Sequence, residues 1–251
     1  PISDCYCDIV LLGGRVINVD TRSIEQTNIG IVGDRLVVGA FDGKEVIDLE
    51  GAFVSPGFID AHMHVESTML PPSSFANLTV PHGTTTVILD PHEIANVMGI
   101  EGIKLVMDDA VGIPIDCFFT ASSCVPASPL ENSGATLLAD DLEPLFEDDR
   151  VVGLAEMMNF PGVLAEDAEV HKKIKMGLRH GLVDGHCPGL RGEDLLKYVA
   201  SGISSDHEST TAEEAQEKLE AGLQLYIREG SAARNLEALL PIITPENAHC
   251  I

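Results

Sequence analysis

From about residue 54 onward, short apolar runs alternate with stretches of helical periodicity, and this alternation restricts the fold more than any other feature of the chain. Strands are predicted at Gly57–His62, Thr85–Leu89, Ile115–Thr120, Val151–Met157, Leu182–His186, Gly202–Ser205 and Leu223–Ile227. Helices are predicted between them, near 100–110, 140–147, 165–180, 192–200, 211–221 and 232–240, with a further start at Pro71-Pro72. Repeated βα units put strands side by side in one parallel sheet with the helices outside. Seven units, with an eighth strand beginning at Ala248-His-Cys-Ile251, predict an α/β fold of the (β/α)₈ TIM-barrel type. That barrel is expected to be truncated before the end of strand eight.

The first 53 residues read differently. Asp8–Leu12, Ile29–Val32, Leu36–Val38 and Val46–Asp48 are β-rich and separated by Gly13-Gly14, Gly33-Asp34 and Asp42-Gly43, a pattern of hairpins and turns. The expected organisation is therefore part of a small β domain over 1–53 and a barrel over 54–251.

Composition excludes several classes of partner. Lys and Arg number 15 against 40 Asp and Glu, a formal charge of −25, which argues against nucleic acid and anionic membranes. With 45% hydrophobic residues the chain is too apolar for disorder, yet no apolar run reaches the length of a spanning helix. The six cysteines form no Cys-x-x-Cys pair; Cys5 and Cys7 share one face of a strand without partner cysteines nearby. Reduced thiols in a cytoplasmic protein are expected.

The histidines and acids fall at particular places in the βα rhythm. His62 and His64 close the first barrel strand, and residues i and i+2 of a strand project to the same face. Glu156 ends the fourth strand, His186 the fifth, and His207 follows the sixth. In a TIM barrel every C-terminal strand end opens onto one face, so these five side chains converge. Imidazole and carboxylate together suit Zn, Fe or Mn. Each residue alone reads as an ordinary core or surface side chain; the joint placement predicts a metal centre. Asp90, His92 and Glu93 end the second strand on the same face, where His92 contacts a substrate or a further metal, or else simply closes a turn. Arg228 and Ser231 follow the seventh strand.

Pro56-Gly-Phe-Ile-Asp-Ala-His62-Met-His64 resembles the signature that closes the first strand in the amidohydrolase superfamily. The longer matches resemble its adenine deaminase branch: Asp60-Ala-His62-Met-His64-Val-Glu66-Ser67, Asp90-Pro-His92-Glu93, Ala155-Glu156-Met-Met-Asn159, Gly185-His186-Cys-Pro-Gly189 and Ser204-Ser-Asp206-His207-Glu208. The resemblance implies a two-metal centre on His62, His64, Glu156, His186 and His207, filled by Mn or Fe, with Zn as the alternative. It implies that Glu156 bridges the ions where dihydroorotases and hydantoinases carry a carboxylated lysine. Adenine would be converted to hypoxanthine and ammonia by a metal-bound hydroxide, with Glu156, Glu66, Asp206 and Glu208 as catalytic acids. Arg228 and Ser231 would contact the purine edge, and the chain would pair into a dimer or larger homo-oligomer. The resemblance also implies an Asp ending the eighth strand, expected past Ile251 in a longer chain.

Two other readings stand beside this one. One is an amidohydrolase acting on a cyclic amide, an amine or an N-acetyl substrate; the other is a non-catalytic metal-binding relative, should the chain end at Ile251. The cytidine-type zinc deaminases need His-x-Glu with a later Pro-Cys-x-x-Cys; His64-Val-Glu66 supplies the first half and nothing supplies the second.

Overall fold

A computed structural model describes residues 6–128 and 130–251; Cys5 lies outside the described residues. The chain divides into two compact units, the first ending at Gly57 and the second running from Phe58 to Ile251.

In the first unit, β1 (Cys7–Asn18), β2 (Ser23–Val32), β3 (Arg35–Val38), β4 (Gly43–Asp48) and β5 (Phe53–Val54) form one sheet in the order β3-β2-β1-β4, with β5 also on β1. The strands are longer than the β-rich segments of the sequence. Their pairing continues through Gly13-Gly14, where Gly13 takes a φ of 69° and the β1–β2 register shifts. This is the backbone geometry of a bulge that glycine permits without strain. Cys7, Val10 and Ala40 form its small buried core.

The second unit holds the parallel strands β6 (Phe58–Met63), β7 (Thr84–Leu89), β8 (Asp116–Ala121), β9 (Val151–Met157) and β10 (Leu182–Gly185) in one sheet, ordered β10-β9-β8-β7-β6. A second parallel pair, β11 (Ser205–Asp206) and β12 (Gln224–Leu225), continues beyond β10, where Ser204 donates its amide to Val183 O at 3.1 Å. Seven strands thus follow one another in chain order, as a βα barrel requires. β9 is buried almost throughout, the near-continuous apolar run expected of a parallel strand covered on both faces, and Glu156 interrupts it.

The helices are α1 (Pro72–Thr79), α2 (His92–Met98), α3 (Ile100–Asp109), α4 (Ala139–Leu142), α5 (Phe160–Leu164), α6 (Ala168–His180), α7 (Gly192–Ala200), α8 (Ala212–Glu220) and α9 (Leu236–Leu239). Local chemistry sets their ends. Asp167 caps α6 by accepting from the amides of Glu169 and Val170, both at 3.0 Å, a contact worth about 1 kcal/mol. Thr211 caps α8 in the same way through Glu214 N. α6 then buries Val170, Ile174 and Met176 in the main core.

Three sequence expectations are corrected. Strands six and seven are two residues each, shorter than Gly202–Ser205 and Leu223–Ile227 implied. Gly202, at φ 101°, is still turning out of α7. The segment expected to begin strand eight forms a 3₁₀ turn over Ala248–Cys250. Thr244 donates its amide to Asn247 Oδ1 and accepts from Ala248 N, which closes the chain on itself. The segment after Asp90 is helical as α2, and Gly99 separates it from α3. Residues of β6 and of 224–233 line a cavity of about 710 Å³, which places it between the first and seventh strands.

Candidate metal centre

Burying a carboxylate is costly unless charge or hydrogen bonds compensate it. Glu156 is 3% exposed, and five histidines compensate it. Nδ1 of His186 lies 2.5 Å and Nε2 of His207 3.1 Å from its Oε2. Nε2 of His64, Nδ1 of His92 and Nε2 of His62 lie 3.2, 3.4 and 3.8 Å from its Oε1. Each comes from a different strand end except the first pair: His62 within β6, His64 one residue past it, His92 at the start of α2, His186 just after β10 and His207 just after β11.

The far sides of two rings are fixed. His62 donates from Nδ1 to Asp184 Oδ2 at 2.7 Å, and His64 donates from Nδ1 to the carbonyl of Asp90 at 2.9 Å. Their Nε2 atoms are left to face Glu156, and Nε2 of His62 and Nδ1 of His207 are buried with no hydrogen-bond partner. A neutral imidazole lone pair aimed at a carboxylate oxygen 3–4 Å away is repulsive unless positive charge stands between them. At His64 of the metal-free protein that charge is a proton: burial opposes it, but the hydrogen bond to Glu156 and the charge of Asp90 carry its pKa up to about 10. Burial likewise works against ionised Glu156, yet the surrounding histidines hold its pKa well below the usual carboxylate range. The same arrangement, with rings oriented from behind and lone pairs converging on one carboxylate, fits a divalent cation. Donor atoms of Glu156, His186 and His207, of His62, Asp184 and His207, and of His64, Asp90, His92 and Glu156 each lie within 4.8 Å of one another, so each set could hold a metal ion.

The other expected residues divide. Glu208 faces the cluster, with Oε1 3.5 Å from His207 Nε2 and 3.7 Å from His186 Nδ1, and it is gripped from behind by both terminal nitrogens of Arg228. Arg228 and Ser231 line the same cavity as His62 and His207, Ser231 from an exposed position. Asp90 is buried and fully engaged: Ser122 donates to Oδ1 at 2.8 Å and His92 to Oδ2 at 2.9 Å. Glu93 accepts from Ser67 with one oxygen and buries the other, 3.8 Å from His64 Nδ1. Glu66 accepts from the amide of Ile94; burial, together with the nearby charges of Glu93 and Asp90, pushes its carboxyl up. Asp206 turns away from the cluster. Its oxygens accept from Cys187 N, Ser209 Oγ and the ammonium of Lys218.

Sequence reasoning missed the residues that hold the cluster in place. Asp184 is the nearest, and Asp184-Gly-His186 has the same i, i+2 spacing that singled out His62 and His64. Tyr198, buried on α7, donates to Met157 O and accepts from His186 N, which joins the ends of β9 and β10. Lys173, on α6, donates to Ser123 O while Ser123 Oγ donates to Glu156 O. Cys117, Cys124, Cys187 and Cys250 are free thiols.

A family model described as the amidohydrolase family matches residues 53–238. The chain belongs to the amidohydrolase family. Among curated proteins it is 47% identical over 250 residues to an adenine deaminase of Desulfatibacillum aliphaticivorans, covering 99% of this chain and 44% of that protein. It is 50% identical over 244 residues to an adenine deaminase of Brucella anthropi, covering 96% of this chain and 43% of that protein. The chain thus spans less than half the length of these relatives. Solved amidohydrolase-type structures share the fold. A D-aminoacylase mutant in complex with CuCl₂ superposes with a TM-score of 0.62 at 18% identity, over 89% of this chain and 59% of that one. A beta-aspartyl dipeptidase from Fervidobacterium islandicum gives 0.58 at 14% identity, over 94% and 69%.

Within this candidate centre, replacing Asp184 by Asn should keep an acceptor for His62 but remove the charge that orients the ring. Outer partners of metal-bound histidines typically contribute 10–100-fold in affinity. Asp184→Asn is therefore expected to weaken Mn²⁺ binding about 10-fold, read as free Mn²⁺ by electron paramagnetic resonance. Binding equal to that of the unsubstituted protein would remove Asp184 from the centre.

Proposed function

We propose that the full-length protein hydrolyses adenine to hypoxanthine and ammonia at a two-metal centre held by His62, His64, Glu156, His186 and His207. The supporting observation is the buried carboxylate of Glu156 with five imidazoles 2.5–3.8 Å away, in a chain close to half identical along its length to proteins named adenine deaminase. Manganese or iron is the expected metal, with zinc the alternative, since imidazole and carboxylate ligation suits all three.

Bound divalent ions supply a nucleophile at neutral pH by lowering the pKa of water from about 15.7 towards 7. The reaction adds the water oxygen to C6 and breaks the exocyclic C–N bond; one water proton completes the departing amino group as ammonia and the other ends on a ring nitrogen. Glu156 bridges the two halves of the ligand set. Glu208 lies within 3.5–3.7 Å of His207 and His186, with its orientation locked by Arg228, and would be the carboxylate that carries a proton to the ring. Arg228 and Ser231 would meet the purine edge from the same cavity. Glu66 and Asp206 act through the loops they brace, by hydrogen bonds to backbone amides. Asp90, His92 and Glu93 form a flank for the substrate or for a further cation shared with His64 and Glu156. Among the described residues no helix is long and apolar enough to cross a membrane. The charge of −25 argues against a nucleic-acid partner; the expectation of a homo-oligomer rests on the resemblance alone, and that of a cytoplasmic setting on the cysteine pattern.

The test is ammonia release from adenine by the full-length protein reconstituted separately with Mn²⁺, Fe²⁺ and Zn²⁺. Turnover that disappears in His186→Ala supports both centre and substrate. Two bound ions without adenine turnover would redirect the reading to a cyclic amide, amine or N-acetyl substrate, and no bound ion would end it.

A further inference from the structure

Lys218 lies on the outer helix α8, yet it is completely buried, together with Asp206 and Glu214. Its ammonium donates to Asp206 Oδ2 at 2.8 Å and to Glu214 Oε1 at 2.7 Å. The same carboxylates also accept from backbone amides, and Asp206 from Ser209 Oγ as well. Asp206 accepts from Cys187 N at 2.9 Å and from Glu208 N at 3.2 Å, and Glu214 Oε1 accepts from Gly189 N at 2.8 Å. Cys187 and Gly189 belong to the loop that leaves His186; Glu208 directly follows His207. One ammonium therefore fastens, through two acids, the loops that carry two of the histidines facing Glu156.

Stability alone does not account for this arrangement. Three buried charges carry a desolvation cost that apolar residues of similar volume would avoid, and apolar replacement of such groups is often neutral or stabilising. An apolar contact, however, would not hold the amides of residues 187, 189 and 208. We infer that Lys218 is a positioning residue of the metal centre, acting through Asp206 and Glu214 on the loops that bear His186 and His207. This rests on the reading that those histidines bind an ion with Glu156.

The experiment uses Co²⁺ alone as the probe, added to metal-free full-length protein, with binding titration and the visible absorption of the bound ion as readouts. Lys218→Met is expected to bind Co²⁺ several-fold more weakly, up to the roughly 10-fold lower end seen for groups bonded directly to metal ligands, and to shift its absorption band. Ile174→Ala, a core truncation on α6, serves as the control for stability: it lowers the melting temperature but should leave Co²⁺ affinity and spectrum unchanged. Lys218→Met with wild-type affinity and spectrum overturns the inference, however far its melting temperature falls. Should Lys218→Met fail to fold, Glu214→Gln retains volume and an acceptor for Gly189. A several-fold loss of affinity with a shifted band then supports the inference, and wild-type behaviour overturns it. Wild-type protein that binds no Co²⁺ would overturn the ion reading itself, an outcome distinct from binding retained in the variant.

Discussion

Under the function proposed above, Glu156→Gln in the full-length protein is expected to fold, to lose high-affinity divalent-ion binding, and to release ammonia from adenine at least about 10³-fold more slowly. The rate estimate follows from removing a contribution of several kcal/mol that a bound metal makes to the transition state, at 1.36 kcal/mol per tenfold. Folding should survive because the histidines can adjust. In the metal-free protein His64 holds its proton up to about pH 10, since the Glu156 carboxylate and Asp90 outweigh its burial. Without that carboxylate His64 loses the hydrogen bond that raises its pKa, and the Gln amide can donate to its lone pair. The sign of the pH dependence provides a check. A histidine whose folded pKa lies above its unfolded value contributes stability that is complete below about 6.5 and is lost as pH rises through the folded value. Metal-free wild-type protein should accordingly lose stability between about pH 6.5 and 10, and Glu156→Gln should show a flatter profile in urea denaturation at matched pH. Retention of two tightly bound ions in Glu156→Gln would exclude Glu156 as the bridge.

The convergence of His62, His64, Glu156, His186 and His207 was legible because strand periodicity is short and strict. His62 and His64 share a face by the pleat alone, and Glu156 stands out as the one acid in an otherwise apolar strand. The same rule applied to Asp184 and His186 would have found the partner of His62, but an acid two residues before a ligand also fits an exposed strand end. Asp206 is the opposite case. Its place before His207 suggests chemistry, while its actual neighbours, Lys218 and the amide of Cys187, depend on how α8 packs over β11, and no local pattern encodes that. Lys218 and Tyr198 lie on outer helices, where a Lys or Tyr ordinarily reads as a solvated or snorkelling side chain. The fold follows the same division. The long runs of β7, β8 and β9 were legible from β-branched and apolar content, whereas β11 and β12 reduce to two residues each because tertiary pairing, not propensity, sets their ends.

Gly185→Ala tests whether the fit between β10 and β11 sets the geometry of the centre. A Cβ at Gly185 would stand 2.0 Å from the carbonyl oxygen of Ser205 and 2.8 Å from Ile203 Cγ2. The nearer atom is backbone, so no side-chain rotation relieves the clash, and the two strands must separate. Separation strains the bond from Ser204 N to Val183 O and the contacts of Ser205 Oγ with Asp184 and with the amide of Gly185. Overpacking costs roughly 1–3 kcal/mol and each lost hydrogen bond about 1 kcal/mol, so a loss of about 3–5 kcal/mol is expected. That is a large share of the 5–15 kcal/mol typical of a native domain. His186 and His207 each begin within two residues of the displaced backbone, so divalent-metal affinity should fall with stability. Gly230→Ala provides the contrast: a Cβ there meets only Ala233 O, at 3.8 Å, and should change stability by no more than about 0.5 kcal/mol. If urea denaturation finds Gly185→Ala within about 1 kcal/mol of the wild type, the β10–β11 contact is not the constraint that brings His186 and His207 together.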